Sequence, residues 1–161
     1  MPKVAVVMGS ASDMPALEAA VSRLNAFGIQ ADIRILSAHR TPDSAADFAK
    51  GAAANGYDVL IAAAGKAAHL PGVLAAYTVL PVIGVPMKSP FMDGLDSLLS
   101  IVQMPAGVPV ATVGVDSAEN AALLAARILA LKYPELTEKL AAYKREMANK
   151  VIEADGKLER R

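Results

Sequence analysis

What most constrains this chain is a hydrophobic period that keeps changing. Short apolar or β-branched runs alternate with segments whose apolar residues recur at helical spacing. Residues 4–8 (Val-Ala-Val-Val-Met) read as a first strand, followed by the polar turn Gly9-Ser10-Ala11-Ser12-Asp13. Pro15 suits a first helical turn, Leu17, Ala20, Val21 and Leu24 share a helix face, and Gly28 stops that helix. Residues 31–36 predict a second strand, Ser37-Ala38-His39-Arg40 a loop, and Thr41-Pro42 a cap and helix start. Ala45, Phe48, Ala49 and Ala52 form that helix's face. Residues 58–64 predict a third strand whose apolar run is that of a strand covered on both faces.

The same alternation continues to the end. Gly65-Lys66-Ala67-Ala68-His69 is a loop leading into a short helix over 70–77. Residues 82–85 predict a fourth strand, 94–103 a helix and 110–115 a fifth strand. Asp116-Ser117-Ala118-Glu119 opens an alanine- and leucine-rich helix with capping-box spacing from Asp116 to Glu119. Pro134 restarts a last helix carrying Leu136, Leu140, Tyr143, Met147 and Val151 on one stripe, and 156–161 are expected to fray.

Five strands alternating with helices predict an α/β fold, a three-layer αβα sandwich on a parallel sheet. Right-handed crossovers put helices on both faces. The length favours a flavodoxin-like order 2-1-3-4-5, with one domain over 1–161, a core over 1–132 and a helix over 134–155. That helix has no strand left to cover, so its stripe is expected to pack on a neighbouring subunit. The order sets strands 2, 1 and 3 side by side. Ser10, Ser12, Asp13, Ser37, His39, Arg40, Lys66 and His69 are therefore expected to converge at one rim.

Composition removes whole classes of function. The chain has no cysteine, which excludes disulfide scaffolds, zinc–thiolate sites, iron–sulfur clusters and thiol nucleophiles. Its 16 basic and 16 acidic residues balance, which argues against nucleic acid as a partner. The first eight residues are too short for a signal peptide, and the apolar stretch 59–85 is broken by Lys66, His69, Pro71, Gly72 and Pro81. The expectation is a soluble cytoplasmic protein without a membrane partner.

Each loop carries a chemical reading beside a plainer one. The 9–13 turn meets a helix N-terminus, where free N–H groups and the helix dipole favour an anion. Its plainer role is a helix cap made by Ser12 or Asp13. Arg40 suits a phosphate, with Ser37 and Thr41 adding donors, while Thr41 alone also fits a cap. His39 and His69 are the chain's two histidines and its natural groups for titration near neutrality. His69 also fits a hydrogen-bonded structural histidine. No carboxylate stands at ligand spacing from the histidines, so no metal is expected.

Taken together, these segments resemble the class I N5-carboxyaminoimidazole ribonucleotide mutases of purine biosynthesis. The matching motifs are Met8-Gly9-Ser10 with Ser12-Asp13, Ser37-Ala38-His39-Arg40-Thr41-Pro42, and Ala67-Ala68-His69-Leu70-Pro71-Gly72. Asp96-Ser97-Leu98 and Ser100-Ile101-Val102-Gln103-Met104-Pro105 extend the match. The resemblance implies reversible transfer of a carboxylate from an exocyclic nitrogen to C4 of aminoimidazole ribonucleotide, with CO2 passing between them and no cofactor. It implies that Ser10, Ser12, Asp13, Ser37 and Arg40 hold the ribose phosphate. His39 is the implied acid/base, Gly65, Ala67 and Leu70 offer backbone contacts, and His69, counted as catalytic with His39, supports that third loop. It further implies a homo-octamer with sites at subunit contacts.

Lys66, counted with the substrate-binding residues, stands where that family usually has glycine. If the position needs a positive φ, lysine bears a strain cost. It either points to solvent or reaches the migrating carboxylate. Two alternatives stand beside the mutase. One is a carboxylase that uses CO2 directly on aminoimidazole ribonucleotide. The other is a flavodoxin-like nucleotide- or phosphate-binding regulatory module. Against the module, the three loops carry no aromatic to cover a flavin, and Asp13 lacks the clustered acids of a receiver.

Overall fold

The structure, a computed structural model, describes residues 1–158. Five parallel strands, β1 (Lys3–Met8), β2 (Gln30–Ile35), β3 (Val59–Gly65), β4 (Val82–Met87) and β5 (Ala111–Thr112), lie in the expected order β2-β1-β3-β4-β5. The helices are α1 (Met14–Ala26), α2 (Pro42–Gly51), α3 (Leu70–Tyr77), α4 (Leu95–Val102), α5 (Ala118–Ala130) and α6 (Glu135–Leu158). A 3-10 turn over Ala11–Asp13 leads into α1.

The period of two along each strand divides the core into two layers. Val4, Val6 and Met8 face Leu17, Ala20 and Leu24 of α1 and the alanines of α5. Ala5 and Val7 face the opposite layer, where Ala45, Ala49 and Ala52, Leu70 and Leu74, and Ile101 cover the sheet. Ala62 and Ala64 of β3 belong to the same cluster, so helix and sheet both contribute alanines to this layer. β4 carries Gly84, where a Cβ would collide with the Ile101 side chain. The missing side chain lets α4 lie close against the sheet.

At the N-terminal rim, a charged cluster ties the starts of three strands together. Lys3 Nζ pairs with Asp32 at 3.0 Å, and Tyr57 Oη donates to the same carboxylate at 3.0 Å. Lys3, foremost, and Gln30 hold the Asp32 carboxyl below its usual range. Asp58 accepts from the Lys3 backbone N–H at 3.1 Å and from Lys132 Nζ at 2.8 Å.

Local readings are corrected at several points. β5 spans only Ala111–Thr112 rather than 110–115. Pro109 and the Asp116 turn, at φ 53°, confine it, although Val113 N–H still reaches the Gly84 carbonyl at 3.1 Å. The capping box does not form. Ser117 occupies the cap position of α5, the Asp116 carboxylate accepts from Lys88 N–H at 2.8 Å, and Glu119 turns to Arg23 at 2.7 Å. Ser12, Asp13 and Thr41 cap no α-helix with their side chains. Ser10 caps the 3-10 turn, and Thr41 Oγ1 closes its own loop by accepting from Ser37 N–H at 2.9 Å.

The last helix does not fray at Gly156. It continues to Leu158, and 159–161 lie outside the described residues. Its stripe divides in two. Leu136 is buried, and Leu140 and Tyr143 pack on the chain's own core, while Met147 (41% exposed) and Val151 (70%) face outward. Among the described residues, no helix is long and apolar enough to cross a membrane.

Candidate active site

Parallel strands deliver all their C-terminal ends to one rim, and the register sets those ends level. Met8 lies opposite Ile35 and Ala63, and Gly65 opposite Met87. The loops that leave β1, β2, β3 and β4 therefore surround a single cavity of about 540 Å³. That volume lies in the range of small-molecule sites. Ser10, Ser12, Asp13, Ser37, His39, Arg40, Gly65, Lys66, Ala67, His69 and Leu70 all line it.

The first two loops make a patch rich in donors. Ser10 Oγ accepts from the Ser12 N–H at 3.3 Å and from Ser12 Oγ at 2.9 Å. Ser37 Oγ accepts from Arg40 N–H at 3.1 Å. Arg40 then leans across to the first loop, donating from Nη2 to the Gly9 carbonyl at 3.2 Å. One contact orients the guanidinium beside the serines, and a guanidinium has further N–H groups for an anion. Asp13 lies at the same patch. Burial pushes its carboxyl up, the Ser10 backbone draws it down and Asp116 pushes it up again, leaving it above the usual range.

The third loop is shaped by α4. Lys66 has φ 57°, so the glycine-like conformation weighed from the sequence is realised in a lysine. That conformation costs an L-residue on the order of 1–2 kcal/mol. Lys66 N–H donates to Ser97 Oγ at 2.8 Å, and Ser97 Oγ donates onward to the Met87 carbonyl at 2.7 Å. Ser100 Oγ lies 3.3 Å from the Lys66 carbonyl, which also accepts from Ala68 N–H at 2.8 Å. Both backbone polar groups of Lys66 are thus held, which offsets the strain of its φ.

The second and third loops meet through their histidines. His39 Nε2 and His69 Nδ1 are 2.7 Å apart, with the rings edge to face at 79°. A contact this short between ring nitrogens holds one proton, so the tautomer of one ring fixes that of the other. The arrangement suits a group that gives and receives the same proton.

The fourth loop was missed by the sequence reading. Met87, Lys88, Ser89 and Pro90 also line the cavity. Ser89 Oγ donates to the Asp96 carboxylate at 2.8 Å, and Lys88 Nζ pairs with Asp93 at 2.8 Å. The signal was available, because a lysine and a serine follow an apolar strand that the order 2-1-3-4-5 places next to β3. Among the described residues, no group of three or more metal-ligating side chains comes together.

Comparison with known proteins gives this geometry a context. The family model described as AIR carboxylase matches residues 3–150. A protein of Pyrococcus horikoshii named N5-carboxyaminoimidazole ribonucleotide mutase is 58% identical, covering 98% of this chain and 89% of its own. One of the same name from Thermotoga maritima is 54% identical over 99% of this chain and 93% of its own. The crystal structure of Treponema denticola PurE superposes with a TM-score of 0.89 at 36% identity, over 98% of this chain and 99% of that one.

Proposed function

This chain belongs to the AIR carboxylase family, and we propose that it interconverts N5-carboxyaminoimidazole ribonucleotide and 4-carboxy-5-aminoimidazole ribonucleotide in purine biosynthesis. The observation that carries the reading is the His39–His69 contact of 2.7 Å on the cavity that Arg40 also lines. An anion-anchoring group and a proton-transfer group face one space.

The chemistry follows from those two groups. Arg40, Ser10, Ser12 and Ser37 hold the ribose phosphate, and Asp13 accepts from sugar hydroxyls. Protonated His39 gives its proton to the carbamate nitrogen. The N–C bond breaks, its electron pair stays on nitrogen, and CO2 is freed beside the ring. The electron-rich C4 then attacks the CO2 carbon, forming the new C–C bond. Neutral His39 removes the hydrogen from C4 as a proton, and the ring regains its aromaticity. The histidine ends as it began. General acid–base transfer of this kind contributes about 10²–10⁴-fold. Confinement contributes the rest, since CO2 must meet C4 before it escapes. Gly65, Ala67 and Leu70 give a close backbone wall, and His69 fixes the tautomer of His39.

The working form is a cytoplasmic homo-octamer with sites near subunit contacts. Support comes from apolar side chains left exposed on α4 (Leu95, Leu99 and Val102) and on the distal part of α6.

The test is turnover of the N-carboxylated nucleotide in bicarbonate-free buffer, with binding measured alongside. His39→Asn is expected to lose at least about 10²-fold in turnover and to keep its affinity. Arg40→Ala is expected to do the reverse, weakening affinity by roughly 10–100-fold through loss of a charge-assisted contact. Equal turnover by His39→Asn and the parent would overturn the reading.

A further inference from the structure

We propose that Lys66 is the cationic anchor for the migrating carboxylate, a role that rests on the mutase reading and deepens it. Three observations converge on this residue. The first is its backbone. At φ 57° it occupies a conformation that glycine adopts freely and lysine does not. The second is how firmly that conformation is kept, with Ser97 on its N–H at 2.8 Å and Ser100 near its carbonyl at 3.3 Å. The third is the side chain. It belongs to a residue on the cavity's lining, is exposed, and among the described residues forms no ion pair.

The balance of charge in the cavity points the same way. Arg40, Lys66 and Lys88 are the arginine and lysines on its lining, and Lys88 is already paired with Asp93 at 2.8 Å. Arg40 lies on the β2 loop among the serines that suit a phosphate. Lys66 lies on the β3 loop, three residues before His69 and on the loop that His39 reaches. The proposed substrate is anionic at both ends, phosphate at one and carboxylate at the other. Two unpaired cations on loops either side of β1 match two anionic groups on one ligand. An ammonium on a flexible stem also suits a carboxylate that must move from nitrogen to carbon. A point charge can follow that shift, whereas a rigid guanidinium fork fixes one geometry.

Titration calorimetry with two nucleotides separates this role from a structural one. One ligand is 4-carboxy-5-aminoimidazole ribonucleotide; the other is aminoimidazole ribonucleotide, which lacks the carboxylate. Lys66→Gly relieves the backbone, and Lys66→Gln keeps the stem without charge. Both are expected to weaken the carboxylated ligand by about tenfold and the other by less than about twofold. Lys66→Arg is expected to recover most of the difference, and high salt to shrink it. Either ligand-independent weakening or no weakening in both variants overturns the role of Lys66 while leaving the mutase reading intact. A parent protein that binds neither nucleotide overturns both.

Discussion

Ser97 offers a sharp test of how the cavity is held in shape. Its side chain is fully buried (0% exposed), accepts from Lys66 N–H and donates to the Met87 carbonyl at 2.7 Å. Ser97→Ala removes one atom and strands two groups. The Met87 carbonyl loses a buried donor, and a polar group left unsatisfied costs about 1–3 kcal/mol. The Lys66 N–H lies nearer solvent and adds less, so the whole is about 2 kcal/mol. For a domain of this size that lowers Tm by roughly 4–8 °C. Urea unfolding measures the loss. A double-mutant cycle with Lys66→Gly then tests the cause. With glycine at 66 the positive φ needs no clamp, so Ser97→Ala is expected to cost about 1 kcal/mol less than in the parent. Strict additivity of the two changes would refute the idea that Ser97 holds Lys66 in a strained backbone.

Two further outcomes follow from the site and its surroundings. Asp13 has its carboxyl held above the usual range, first by burial and then by Asp116, against the pull of the Ser10 backbone. A raised carboxyl disfavours the folded state once pH exceeds its unfolded pKa, and the penalty vanishes below that value. Asp13→Asn is therefore expected to raise the urea midpoint at neutral pH, to leave it unchanged near about pH 3, and to weaken nucleotide binding. For the assembly, light scattering is expected to give the mass of eight chains. Val151→Asp with Ile152→Asp is expected to lower it, and a monomeric parent would reject the octamer.

The architecture was legible because parallel-sheet proteins write their layers into the period of the chain. β3, apolar from Val59 to Ala64, can only be covered on both faces, and that fixes its central place. The loop residues were legible for a related reason, since the strand order alone brings 9–13, 37–41 and 65–69 to one rim. What failed was local and depended on distant partners. The spacing from Asp116 to Glu119 is that of a capping box, yet Arg23, 96 positions away, takes the Glu119 carboxylate. The β4 loop was less legible because it lies one strand beyond the switch between strands 1 and 3, and Lys88 and Ser89 read equally well as a solvated turn after the strand. The histidine contact could not be read at all. Adjacent loops can be inferred from topology, but a ring-to-ring distance of 2.7 Å depends on χ angles that no pattern encodes.

The alanines that α2 and β3 contribute to one core layer have a consequence of their own. Alanine has no rotamers to lose, so burying Ala45, Ala49, Ala52, Ala62 and Ala64 freezes backbone alone. Side-chain disorder surrendered on folding is accordingly small at those five positions. Little apolar surface is gained per contact, but little freedom is given up for it.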